Sequence, residues 1–93
     1  MPIEELRTFV IYDIADDKLR TKISETCLDF GLVRVQYSAF AGILNRNKRE
    51  ELFLKLCDIL GDDPGKILIQ PICGKDAAEM LLHESEPPIE EDV

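Results

Sequence analysis

Asp13 is the residue of this 93-residue chain best placed to do chemistry. It interrupts the apolar run Thr8-Phe9-Val10-Ile11-Tyr12-Asp13-Ile14 close to its carboxyl end. Aspartate is a poor strand residue, and the carboxyl end of a strand entering a helix is where open α/β sheets often place ligands. A carboxylate held there by a rigid strand can coordinate a metal ion. It can equally start the turn or accept a hydrogen bond from a backbone amide, and spacing leaves both readings open. Asp16 and Asp17, which follow, read as the N-cap and dipole partner of a helix. No general base accompanies Asp13, because the single histidine, His83, sits beside an acidic tail and reads as a surface residue. Cys27, Cys57 and Cys73 are widely spaced and form no CxxC pair. That argues against a zinc site or a disulfide framework, points to a reducing cytosol and so a cytoplasmic location, and leaves the cysteines as small buried hydrophobes.

The elements that must position Asp13 follow from the hydrophobic pattern. A strand spans about Arg7 to Asp13. A helix then runs to about Phe30, with Leu19, Ile23, Cys27 and Phe30 at helical spacing and Gly31 as its stop. Val33 and Val35 alternate with Arg34 and Gln36 as in a strand. Leu32 to Leu44 is long for one strand, and a hairpin turning near Gln36-Tyr37-Ser38 lacks the usual Asn-Gly signal, so both arrangements stay open. Asn45 can cap a second helix, Arg46 to about Leu60, with Leu52, Leu56 and Leu60, together with Phe53 and Ile59, on its buried face. Gly61-Asp62-Asp63-Pro64-Gly65 is a loop, and Lys66 to Ile72 is the last clear strand. Ala77 to His83 is either one helical turn or a small extra strand. Residues 1–83 therefore form one domain, and 84–93, with Pro87-Pro88 and clustered acids, form an acidic tail expected to be disordered.

This order fits an α/β (α+β) fold, a two-layer sandwich of the ferredoxin-like kind. Two helices cover only one face of such a sheet. Yet the first strand is apolar on both faces, with Phe9 and Ile11 on one and Val10, Tyr12 and Ile14 on the other. The last strand repeats this, with Ile67 and Ile69 against Leu68 and Ile72. A second copy of the same sheet is the simplest cover, which predicts a twofold homodimer. No run approaches the roughly 18–20 apolar residues of a membrane span, so no membrane partner is expected.

The net charge of −8 argues against a global field for nucleic acid. Five of the nineteen acids lie in residues 84–93, where no base occurs, so residues 1–83 carry fourteen acids against eleven bases, or −3. Any nucleic-acid site is then a local basic patch. Arg46, Lys48 and Arg49 open the second helix, where the macrodipole disfavours positive charge; they are either a hint of an anionic partner or a solvated face.

Two segments carry a resemblance. Tyr12-Asp13-Ile14-Ala15-Asp16-Asp17-Lys18-Leu19-Arg20 and, after Gly31, Arg34-Val35-Gln36-Tyr37-Ser38-Ala39-Phe40-Ala41-Gly42 resemble the small CRISPR-associated endonuclease family, the second of the two proteins of spacer acquisition. The match covers about residues 7–72. The resemblance implies a ferredoxin-like βαββαβ homodimer with an antiparallel sheet, so that Leu32 to Leu44 becomes a hairpin, followed by a short C-terminal segment. It implies a Mg²⁺-dependent nuclease cutting RNA or DNA, and a partnership with the CRISPR integrase. Asp13 falls on the family's catalytic, metal-binding aspartate. Tyr12, Arg20, Arg34 and Phe40 match positions around its cleft, where the arginines would meet phosphates. Ala39 and Ala41 are smaller or less polar than is usual there, and the acidic tail is unlike a DNA scaffold. A single carboxylate per protomer and no base describe a slow nuclease, which keeps a non-catalytic scaffold for integrase and foreign DNA as the alternative.

Overall fold

A computed structural model describes residues 4–85. Seven elements follow in order: β1 (Glu5–Ile14), α1 (Asp17–Asp29), β2 (Val33–Gln36), β3 (Ala39–Asn45), α2 (Arg46–Leu60), β4 (Gly65–Ile72) and α3 (Gly74–Ala78). The strands form one antiparallel sheet in the order β2-β3-β1-β4. This is the expected ferredoxin-like arrangement, with the hairpin turning at Tyr37 and Ser38.

Local chemistry sets the boundaries. The Asp16 carboxylate accepts from the Leu19 amide at 2.9 Å, and the Asn45 side-chain oxygen accepts from the Lys48 amide at 2.8 Å. Each satisfies an amide that the helix itself leaves unpaired. Gly31, at φ +84°, ends α1 in the left-handed region. Its amide donates to the Leu28 carbonyl at 2.9 Å, and the Leu32 amide donates to that of Cys27 at 3.1 Å, the double bond of a Schellman stop. The stop turns Leu32 inward, where it is buried in the core.

Alternation along β1 divides the molecule into two sides. Val10, Tyr12 and Ile14 are buried and face α1 and α2, where they pack with Ile23, Cys27, Leu32, Phe40, Leu44, Leu52 and Leu56. Phe9, Ile11 and Asp13 face the other way. Across the register, Phe9 lies opposite Ala41 and Gln70, and Ile11 opposite Ala39 and Leu68. With Val33 and Ile43 these residues form an uncovered, largely apolar face, on which Leu68 keeps 51% of its surface in solvent.

Three expectations need correction. Phe53 is exposed rather than part of the buried face of α2. It follows Leu52 by one residue, about 100° around the helix, and Leu52 and Leu56 already fill the groove over the sheet. Cys57 and Cys73 are exposed, and only Cys27 is a buried hydrophobe. Cys57 stands one residue past Leu56, on the solvent side, and Cys73 is the N-cap of α3, its Sγ accepting from the Asp76 amide at 3.5 Å. That cap moves the last helix upstream. It covers Gly74–Ala78, and 80–85 is irregular, so Ala77 to His83 is neither a complete helical turn nor a strand. Of the acidic tail, 86–93 lie outside the described residues.

Two substitutions probe this core. A Cβ on Gly42 would stand 2.4 Å from Leu32 Cδ2 and 3.1 Å from its Cα. Gly42→Ala should therefore cost about 1–3 kcal/mol in denaturant unfolding, the scale of core overpacking. The Cys27 thiol is pushed from 9.0 up to about 12 by burial, against the opposing pull of the Arg34 charge. A thiol whose folded pKa lies above its unfolded one contributes stability that is intact below the unfolded value and lost as pH climbs through the folded one. Unfolding free energy should fall from about pH 9 towards pH 12, and Cys27→Ala should flatten that alkaline slope.

Candidate active site

Asp13 is the penultimate residue of β1, on the uncovered face, where it is exposed and its Cα pairs with that of Lys66. Its backbone is pinned from the side by Gly65, since a Cβ on that glycine would stand 3.1 Å from the Asp13 carbonyl oxygen and 2.9 Å from Ile14 Cγ1. β4 thus begins hard against the strand end that carries the carboxylate. Among the described residues Asp13 forms no ion pair within 4.0 Å. Nor do three histidine, cysteine or carboxylate side chains converge anywhere among them. A free carboxylate on a rigid strand end suits a cation that keeps most of its waters and takes one or two protein carboxylates, as Mg²⁺ does.

The other residues named by the sequence gather on the opposite side of β1. Tyr12, Arg20 and Arg34 line one open pocket of about 190 Å³, together with Asp17, Thr21, Ser24 and Tyr37. Phe40 is fully buried beneath it, its ring 6.3 Å from that of Tyr12 at an interplanar angle of 19°. Arg34 spans the pocket wall. Its Nη1 donates to the Tyr37 carbonyl at 2.5 Å and its Nη2 to Ser24 Oγ at 3.1 Å, while its guanidinium lies 4.8 Å from the Phe40 ring centroid. The Tyr12 hydroxyl meets the same Ser24 Oγ at 3.2 Å.

Arg20 links the two sides. Its Nη1 donates to the carbonyls of Ile14 at 3.0 Å and Ala15 at 2.8 Å, and its Nη2 pairs with the Asp17 carboxylate. These carbonyls follow Asp13 directly in the chain, so Arg20 fastens the loop that leaves the metal-site candidate without reaching its carboxylate. Ser24, Thr21 and Tyr37 were not singled out by sequence. Ser24 stands one helical turn after Arg20, and an aromatic residue where a tight hairpin turn favours Asn-Gly was the available sign for Tyr37.

The basic start of α2 is satisfied internally. Arg46 pairs with Glu50 at 3.2 Å, Lys48 pairs with Glu51 at 3.5 Å, and Arg49 Nη1 donates to the Leu44 carbonyl at 3.1 Å. Spacings of three and four residues bring those acids beside the bases, which offsets part of the positive charge gathered at this helix N-terminus.

Comparison with known proteins identifies the family and the fold. The family described as CRISPR associated protein Cas2 matches residues 6–80. A CRISPR-associated endoribonuclease Cas2 of Desulforudis audaxviator is 52% identical over 71 residues, which is 76% of this chain and 67% of that protein. A protein of Archaeoglobus fulgidus named CRISPR-associated endoribonuclease Cas2 1 is 47% identical over 73 residues, 78% of each chain. Among solved structures, a hypothetical protein of Thermus thermophilus superposes with a TM-score of 0.73 at 25% identity, covering 95% of this chain and 100% of that one. With its family match running from the first strand past the last, this chain belongs to the CRISPR-associated Cas2 family.

Proposed function

We propose that the chain is a Mg²⁺-dependent endonuclease of CRISPR adaptation that hydrolyses RNA or DNA phosphodiesters as a homodimer and works beside the CRISPR integrase. The observation that carries the reading is Asp13, a solvent-facing carboxylate without an ion-pair partner among the described residues, fixed at the end of the central strand. The endoribonuclease names of the relatives support the same chemistry. Mg²⁺, when bound, supplies polarisation of the phosphoryl oxygen and acidification of an attacking water. The chain's own part is to hold the carboxylate still, through Gly65 against its backbone and Arg20 on the carbonyls that follow it.

The uncovered sheet face supports the dimer. Phe9, Ile11, Val33, Ile43 and Leu68 form a continuous apolar surface of the kind that marks an interface in a soluble chain. Leu81, 95% exposed just beyond α3, adds apolar surface that one protomer does not cover. Two such faces meeting about a twofold axis would bring two Asp13 side chains towards one another. One carboxylate per protomer is also a sparse catalytic set. That sparseness favours a second reading, in which the dimer is a scaffold that spaces integrase and DNA.

Asp13→Asn keeps the size and hydrogen-bonding capacity of the side chain and removes its charge. It should lower Mg²⁺-dependent cleavage by at least about a hundredfold, the loss typical of removing one positioned electrostatic group. The dimer should persist, with a thermal midpoint equal to or slightly above wild type, because two like charges near one axis repel. The measurement is cleavage of single- and double-stranded substrates with Mg²⁺ and with chelator. Full activity in the variant would make Asp13 a turn residue, and a wild type without cleavage in Mg²⁺ would leave the scaffold. Leu68→Glu places a charge opposite Ile11 on the apolar face and should give monomers or insoluble protein in sedimentation analysis. A wild-type monomer at micromolar concentration would refute the dimer.

A further inference from the structure

Tyr37 has no part in the cleavage chemistry, yet it is the most conspicuous group at the pocket. It occupies the β2–β3 turn with 72% of its surface in solvent. Nothing in the turn demands an aromatic residue: its φ is not positive, and its side chain fills no space in the core. The residue is nevertheless held twice. Arg34 donates to its carbonyl at 2.5 Å, and the guanidinium of Arg20 lies over its ring, 5.8 Å from the centroid. Arg20 is itself clamped by the carbonyls of Ile14 and Ala15 and by Asp17. An exposed ring of this kind ordinarily samples several rotamers. This one has a fixed cation against one face, within the range of a cation–π contact.

We propose that Tyr37 is a stacking platform for an exposed nucleobase, with Arg34 taking a phosphate beside it. The inference rests on the proposed action on nucleic acid and adds the residue on which a base is held. Every base offers a π-face, so stacking on an aromatic ring is tolerant of sequence. A base inside a duplex has both faces covered by its neighbours, whereas an unpaired base has a face to give. Each terminal nitrogen of Arg34 carries two hydrogens and makes one bond among the described residues, which leaves a hydrogen on each for a phosphate oxygen. Ser24 and Thr21 place hydroxyls on the same wall. Among the described residues Asp17 is the one carboxylate on the rim, and its ion pair with Arg20 offsets its repulsion of the strand.

The chain contains no tryptophan, so Tyr37→Trp installs a lone indole reporter at the platform. The full chain carrying this substitution is titrated, in chelator to suppress cleavage, with an oligothymidylate of about a dozen nucleotides, a length within the usual single-strand site range. Its fluorescence should be quenched, and the same strand annealed to its complement should quench it far less. Tyr37→Phe should bind the single strand as wild type does. Tyr37→Ala should bind about tenfold or more weakly with an unchanged thermal midpoint. Equal quenching by single strand and duplex, or alanine binding as tightly as phenylalanine, would overturn the stacking role while leaving action on nucleic acid intact. Failure of the wild type to bind either form would overturn both.

Discussion

Two helices can blanket one side of a four-stranded sheet and no more, and much of the molecule follows from that limit. α1 and α2 lie on the side where Val10, Tyr12 and Ile14 emerge from β1, and the core is built there with Phe40, Leu44, Leu52 and Leu56. The other side of the same strands carries Phe9, Ile11, Ile43 and Leu68, which a self-sufficient two-layer protein would have made polar. Ala39 and Ala41 lie on this side too and are buried all the same, because their small side chains sit low between Phe9, Ile11 and the neighbouring strands. The result is a flatter apolar surface than bulky residues at those positions would leave.

Because strand neighbours point to opposite sides, β1 serves two surfaces with consecutive residues. Tyr12 faces the helix-side pocket, and Asp13 faces the uncovered sheet. The two arginines near Tyr12 communicate with Asp13 only through backbone, Arg20 by gripping the carbonyls of Ile14 and Ala15. A strand held between close neighbours is a stiff element, so fastening the chain just past Asp13 restricts the carboxylate without placing a competing positive charge on it. On the proposed reading the two sites would do different work, the exposed carboxylate holding a cation and the pocket taking an anion beside an aromatic ring.

Much of this was legible in the residues. The caps at Asp16 and Asn45 and the stop at Gly31 were readable because their chemistry is local. The two-faced apolar pattern of β1 was readable too, since alternation depends only on sequence. The hairpin was not, because Tyr37-Ser38 lacks a turn signature, and only family resemblance separated it from a single long strand. Exposure of Cys57 and Phe53 was hidden for a different reason. Each adjoins a buried leucine in α2, and a hydrophobic stripe read from spacing has no sharp edge until the width of the groove beneath it is known. The site divided in the same way. Asp13 could be picked out by its conflict with strand propensity, whereas the gathering of Arg20, Ser24, Arg34 and Tyr37 around one pocket depends on how the hairpin folds back beside α1.

The irregularity of β2 bears on how copies of this chain avoid one another. β2 is a short outer strand of four residues, and its pairing with β3 slips between Arg34 and Gln36. Outer strands present unpaired amides and carbonyls that invite further strands to add without end. A break in the ladder twists the outer strand away from the flat geometry that such addition needs, and the charge of Arg34 sits at the break. Growth along that rim is thereby discouraged. Association through the sheet's apolar side would terminate at two copies, whereas addition along the rim would propagate into a fibre; the slipped pairing would favour the finite assembly over the fibre.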